Sequence, residues 1–142
     1  MSRVLVVANE TVEADELLAE LRRIDDEMTS EYVVVVPAHP VHEGHARLWT
    51  QEGAQEAAQQ RLDRTLEILA SEGITATGHV GDLRPVSAIQ DALMDFDATL
   101  IVISTHPEPR SRWLRAGLVE TTRKRFGRPV VHVVATRTGV PH

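Results

Sequence analysis

Five short apolar runs, each separated from the next by a segment of helical period, leave this chain very few architectures. RVLVVA (3–8), YVVVVPA (32–38), ITATGHV (74–80), ATLIVIS (98–104) and PVVHVVA (129–135) have the length of strands, and four of them are dominated by Val or Ile. Three read as continuous apolar runs rather than alternating ones, the pattern of a parallel strand covered on both faces. The run at 74–80 alternates with polar residues and is expected nearer a sheet edge.

Four helical patterns fill the gaps. In the first, Ala14, Leu17, Leu18, Leu21, Ile24 and Met28 recur at three- and four-residue steps, with Thr11 placed to cap the start. The second runs from about Ala46 to Ser71, with Ala58, Leu62, Leu66 and Leu69 inward and Gly73 as its stop. The third is PVSAIQDALMDF, opened by Pro85 and carrying Val86, Ile89, Leu93 and Phe96 on one side. The last holds Leu118, Val119, Thr122 and Phe126 and ends at Gly127 and Pro129.

Strands alternating with crossover helices predict an α/β fold, a doubly wound five-stranded parallel sheet with helices on both faces, because right-handed crossovers distribute helices over both sides. The 142 residues suffice for one domain, read as 1–142. In such sheets a ligand sits beyond the carboxyl ends of the strands, where the strand order reverses. The walls of that crevice are then the loop after the first strand, ANET (8–11), and the loop after the fourth, STHPEPRSR (104–112).

Charge and composition narrow the chemistry. Residues 1–109 hold 7 arginines and 20 acidic residues, a balance of −13, whereas residues 110–142 hold 8 basic residues and 1 acidic one, +7. An acidic body repels phosphate backbones, so a nucleic-acid partner is not expected, although a local anion site in the basic end is. The basic end also suits packing beside acidic helices. With no cysteine, disulfides, thiolate metal sites and Cys nucleophiles are excluded. The apolar stretch in MSRVLVVANE is too short for a signal peptide, and no run is long enough to span a bilayer. A cytoplasmic protein with no direct membrane insertion is expected.

Three segments carry a resemblance to a known family. VLVVANET, GDLRPVSAI and residues 97–134 are similar to the first strand and its turn, the start of the third helix and the nucleotide-loop region of the universal stress proteins, and the likeness extends over essentially the whole chain. It implies an adenine nucleotide alpha hydrolase-like sheet of order 3-2-1-4-5, a stress-response or regulatory role without catalysis, and a homodimer formed through the last strand (Val130, Val131, His132, Val133 and Val134). Nucleotide-binding members carry G-x-x-G and, further on, G-[S/T] after the fourth strand. In ungapped register those positions here are Ser104, Pro107, Gly117 and Leu118, so only Gly117 is retained. Asn9 stands where ATP-binding relatives have Asp.

The substitutions have physical weight. Glycines let backbone amides close on phosphate oxygens, and Pro107 has no N–H to offer. Loss of one charge-assisted donor costs about 1.5–3 kcal/mol. Tight ATP binding of the family type is therefore not expected. The loop still carries anion chemistry: hydroxyls at Ser104 and Thr105, a switchable donor at His106, and Arg110, Arg112 and Arg115 near the start of the last helix. With Ala8, Asn9, Thr11 and Gly117, these form the candidate contacts for a nucleotide or other small anion. The same arginines equally suit a solvated rim or a dimer contact.

Other residues that invite chemistry also suit plainer roles. His39, His42 and His45 are spaced three apart, but Pro40 and Gly44 oppose a regular helix across them and no Cys completes a tetrahedral set, so an exposed His-rich loop, able to act as a lid or supply an adenine-side contact, is favoured over a metal site even with Glu43 as a further ligand. His132, inside an apolar strand, reads as structural. Asp82 reads as a turn or cap before Pro85, and Trp49 and Trp113 as packing residues. Ser104 and His106 lack an acid partner, so hydrolysis is not expected; a slow nucleotide hydrolase is the enzymatic alternative.

Overall fold

The apolar runs become five parallel strands in a computed structural model that describes residues 3–8, 15–24, 30–38, 51–82, 84–105 and 117–134. In chain order the elements are β1 (Arg3–Ala8), α1 (Asp15–Ile24), β2 (Glu31–Pro37), α2 (Gln51–Ser71), β3 (Ala76–Gly81), α3 (Pro85–Asp95), β4 (Leu100–Thr105), α4 (Leu118–Phe126) and β5 (Val130–Val134). The sheet order is β3-β2-β1-β4-β5, every pair parallel, as the resemblance implies. The weak alternating run is indeed an edge strand, β3, and β5 is the other.

Register divides the core into two layers. Val6 pairs with Val34 and Val102, and those with Gly78 and Val131, giving one row across the sheet. These valines pack with Leu17, Leu18 and Leu21 of α1 and Ala58, Leu62 and Leu69 of α2. One residue on, Val7 pairs with Val35 and Ile103, and the row ends in His79 on β3 and His132 on β5. Val7, Val35 and Ile103 pack with Ala88, Ile89 and Ala92 of α3 and Leu118 and Val119 of α4. The period-2 alternation of a strand thus supplies both hydrophobic faces from one unbroken apolar run.

Helix ends follow local chemistry. Ile74 N–H donates to Leu69 O at 2.9 Å and Gly73 N–H to Ala70 O at 3.0 Å, with Gly73 at φ 85°, a Schellman stop that buries Ile74. Before α3, Asp82 Oδ1 accepts the Arg84 N–H at 2.8 Å, an Asx turn that delivers Pro85 to the first helical position. That backbone bond foremost holds the Asp82 carboxyl below the usual range, against an opposing effect of desolvation, and the Arg84 guanidinium adds to the lowering.

The basic end of the chain is tied to the α3 side of the molecule. Arg125 donates to Gln90 Oε1 at 3.1 Å. Arg128 donates to Ala98 O at 2.8 Å and Phe126 O at 3.2 Å and pairs with Asp97 at 3.0 Å, joining the segments that lead into β4 and β5. Thr99 completes this lower rim, its N–H donating to Arg3 O and its Oγ1 accepting from Arg3 N–H.

β3 lies so close to its neighbours that its glycines have no room for a side chain. A Cβ on Gly78 would stand 2.6 Å from both Leu62 Cδ1 and the Val34 carbonyl oxygen. Gly78→Ala is expected to lower stability by about 1–3 kcal/mol, as overpacking does. Gly73→Ala meets nothing within 4 Å and carries only the strain of its positive φ, about 1 kcal/mol. Urea denaturation of the two variants tests the ranking; equal midpoints would contradict it.

Candidate functional site

Strand order reverses between β1 and β4: the chain builds outward through β2 and β3, then returns to the far side of β1 with β4 and β5. Crossover connections leave the carboxyl ends of these two central strands in opposite directions, which opens a crevice between them. Its described floor is formed by Ala8 and Ser104, adjacent partners in the β1–β4 ladder, and Ser104 in turn pairs with Val133 of β5. Ala8 is 3% exposed and Ser104 4%. By strand alternation Ser104 shares a face with Val102, on the α1 and α2 side.

Gly117 and Leu118 open α4, the helix that follows β4. Gly117 is the residue before α4 and adopts the left-handed region, φ 71° and ψ 32°; no side chain among the described residues caps this helix start, and Gly117 O accepts the Thr121 N–H at 3.0 Å. A residue with a Cβ reaches this conformation only at a cost of about 1–2 kcal/mol. Gly117 therefore has a backbone reason for being glycine. Leu118 is buried in the α3 and α4 layer of the core.

Thr105 ends β4 beside Val134. Asn9, Thr11, His106, Pro107, Arg110, Arg112 and Arg115 lie outside the described residues, as do His39, His42, Glu43, His45, Trp49 and Trp113. Of the expected contacts, Ala8, Ser104 and Thr105 are brought together by the ladder, and Gly117 opens the helix that follows β4. Among the described residues no three His, Asp or Glu side chains converge as a metal site, and no helix is long and apolar enough to cross a membrane.

His132 has a more defined setting than its sequence suggested. It is half-buried on the α3 and α4 side of β5, where burial lowers its pKa below the ordinary value near 6.5, Arg123 adds to that effect and Glu120 opposes it. Glu120 and Arg123 are three apart on α4 and so share a helix face, a spacing visible in the sequence; that the face lies over residue 132 was not. A shallow depression of about 330 Å³ at the opposite end of the sheet, between Tyr32, Thr75, Thr77 and Phe96, offers little chemistry. Its one charged lining residue, Glu31, pairs with Arg3 at 3.4 Å.

No family model and no curated protein matches the sequence. Solved structures do resemble the fold. A protein of the universal stress protein family from Burkholderia pseudomallei is 16% identical, with 94% of this chain covering 96% of that one at a TM-score of 0.66. The universal stress protein from Archaeoglobus fulgidus in complex with dAMP is 21% identical, covering 94% and 97% at 0.60. A universal stress protein family protein from Arabidopsis thaliana with AMP bound is 8% identical, covering 99% and 96% at 0.61. The sheet order, the helices on both faces and the near-complete mutual coverage give this chain the fold of the universal stress proteins.

Proposed function

We propose that this chain is a non-catalytic regulatory binding protein of the universal stress type, and that its β1/β4 crevice takes a nucleoside monophosphate or an anion of similar size in preference to a nucleoside triphosphate. The observation that carries this reading is Gly117, in a left-handed conformation at a helix start where no side-chain cap hydrogen bond is made among the described residues; backbone amides at a helix start favour one compact anion. Two structures of similar fold hold dAMP and AMP, each with a single phosphate.

The case against a triphosphate rests on the rest of the loop. Pro107 replaces a donor, and Leu118 turns into the core where a hydroxyl would otherwise face the phosphates. A polyphosphate tail needs several close amides in series, and this loop has one glycine where the family pattern has three. The nucleotide would be held by Ala8, Asn9, Thr11, Ser104, Thr105 and Gly117, with His106, Arg110, Arg112 and Arg115 supplying charge. In this reading Ser104 is a binding contact and not a nucleophile; among the described residues its ladder partners, Ala8 and Val133, carry no base.

The assembly in this reading is a homodimer through β5. That strand is outermost in the sheet and composed of four valines and a histidine, and an apolar edge is a template for further pairing.

Thermal unfolding in the presence of AMP, dAMP, cyclic AMP and ATP tests the ligand. AMP at a hundred times its dissociation constant should stabilise the fold by about 2.7 kcal/mol, and ATP at the same concentration by less. A shift with none of the four removes the nucleotide reading, and a larger shift with ATP reverses the preference. Ser104→Ala should weaken AMP about tenfold, the effect of one hydrogen bond to a charged group; calorimetric titration reads it, and unchanged affinity would place the phosphate elsewhere.

A further inference from the structure

β3 is an outermost strand whose outer backbone groups have no partner among the described residues. Ala38 N–H donates to Gly81 O, so the peptide groups of Gly81 turn toward β2. In a parallel ladder every second residue does the same, and here those are Thr77 and His79. The N–H and C=O groups of Ala76, Gly78 and Val80 therefore point away from the sheet, at intervals of about 6.6 Å. The strand, ATGHVG, holds no Lys, Glu or Pro, the residues that commonly keep an edge from pairing.

The side chains beside that edge are acidic. Thr77 and His79 pair with Val33 and Val35 and so lie on the α3 side, both exposed. A Cβ at Gly81 would stand 2.8 Å from Ala88 Cβ, which puts the start of α3 beside the end of β3, and Phe96, just past the end of α3, lines the same depression as Thr77. The helix thus runs back along the strand. Asp91 and Asp95 follow Ala88 by three and seven residues and share its stripe, on the flank of α3 over β3, whereas Gln90 meets Arg125 on the other flank. Both carboxylates are exposed, and neither has an ion pair or hydrogen bond among the described residues. Met94, 79% exposed and alone among the described large hydrophobic residues in being so open, lies between them in the helix.

Two spacings agree. Residues four apart on a helix are about 6 Å apart along its axis, and residues two apart on a strand about 6.6 Å. A strand laid against β3 with basic side chains two residues apart, beside Thr77 and His79, brings one cation to Asp95 and one to Asp91. The Met94 thioether, soft and adaptable, suits the aliphatic stems of those side chains. A second copy of this edge does not fit, because it would oppose its own Asp91 and Asp95 to these, and opposed like charges destabilise strand pairing.

We propose that β3 is a docking edge for an extended basic segment of another protein, added to the sheet as a further strand with Lys or Arg at alternate positions over Asp91 and Asp95. The edge is two strands removed from the β1/β4 crevice, and the proposal does not depend on what the crevice holds.

Labelled synthetic peptides long enough to span β3 test it by fluorescence anisotropy with the full chain: one alternating Lys and Thr, one of the same composition with its lysines in adjacent pairs, and one with Glu in place of Lys. The alternating Lys peptide should bind about fivefold more tightly than the paired one, whose adjacent lysines point to opposite faces, and the Glu peptide should not bind. Asp91→Asn combined with Asp95→Asn should weaken the alternating peptide about tenfold, the effect of two exposed ion pairs, with the fold verified by circular dichroism. On binding, the amides of Ala76, Gly78 and Val80 should become protected from hydrogen exchange. N-methylation of one alternate set of peptide amides should abolish binding, and of the other set should not. Equal affinity for the two Lys arrangements, or undiminished binding to the double variant, reveals only diffuse attraction to an acidic body and overturns the inference. Protection that falls outside β3, or failure of the alternating peptide to bind, overturns it as well.

Discussion

Burial of β1 and β4 on both faces is the constraint from which the rest of this structure follows. Val4, Leu5, Val6 and Val7, with Ile101, Val102 and Ile103, are wholly shielded from solvent. Each such side chain contributes about 1.5–3 kcal/mol by leaving water, and a strand that is apolar on both sides can be satisfied only between two helical layers. The amphipathic stripes of all four helices are the complement of that need. So too is the all-parallel pairing, since crossover helices are what cover both faces.

The crevice follows from the same arrangement. With two central strands connected outward in opposite directions, the ends of β1 and β4 are left open to a ligand, and Ala8 and Ser104 become neighbours although far apart in the chain. What occupies that opening depends on the loop chemistry. Here a single glycine with a left-handed backbone begins α4, while the next residue is a core leucine. In the proposed function, that helix start and the Ser104 hydroxyl suit compact charge better than an extended phosphate chain.

The positive charge concentrated after residue 109 has two different uses. Arg125 and Arg128 hold the α3 side of the molecule together through Gln90, Ala98, Phe126 and Asp97. Arg123 donates to Val130 O at 3.1 Å and stands near His132. These side chains therefore belong to the framework, and the anion chemistry of the proposed function falls to the arginines preceding Gly117.

Much of this was legible in the residues themselves. Unbroken Val and Ile runs demanded a doubly covered sheet, three- and four-residue spacings marked the inward helix faces, and Gly73 and Pro85 marked a stop and a start, because these signals are local and backbone geometry converts them directly into structure. Strand boundaries moved by one or two residues, and Ala88 and Ala92 belong to the core although small side chains give only a weak periodic signal. Only tertiary structure decided what lies beside what: that Ser104 sits between Ala8 and Val133, that Arg128 reaches Ala98 and Asp97, and that Glu120 and Arg123 lie near His132. Sheet order is set by how helices pack across strands distant in the chain, and no local pattern encodes that.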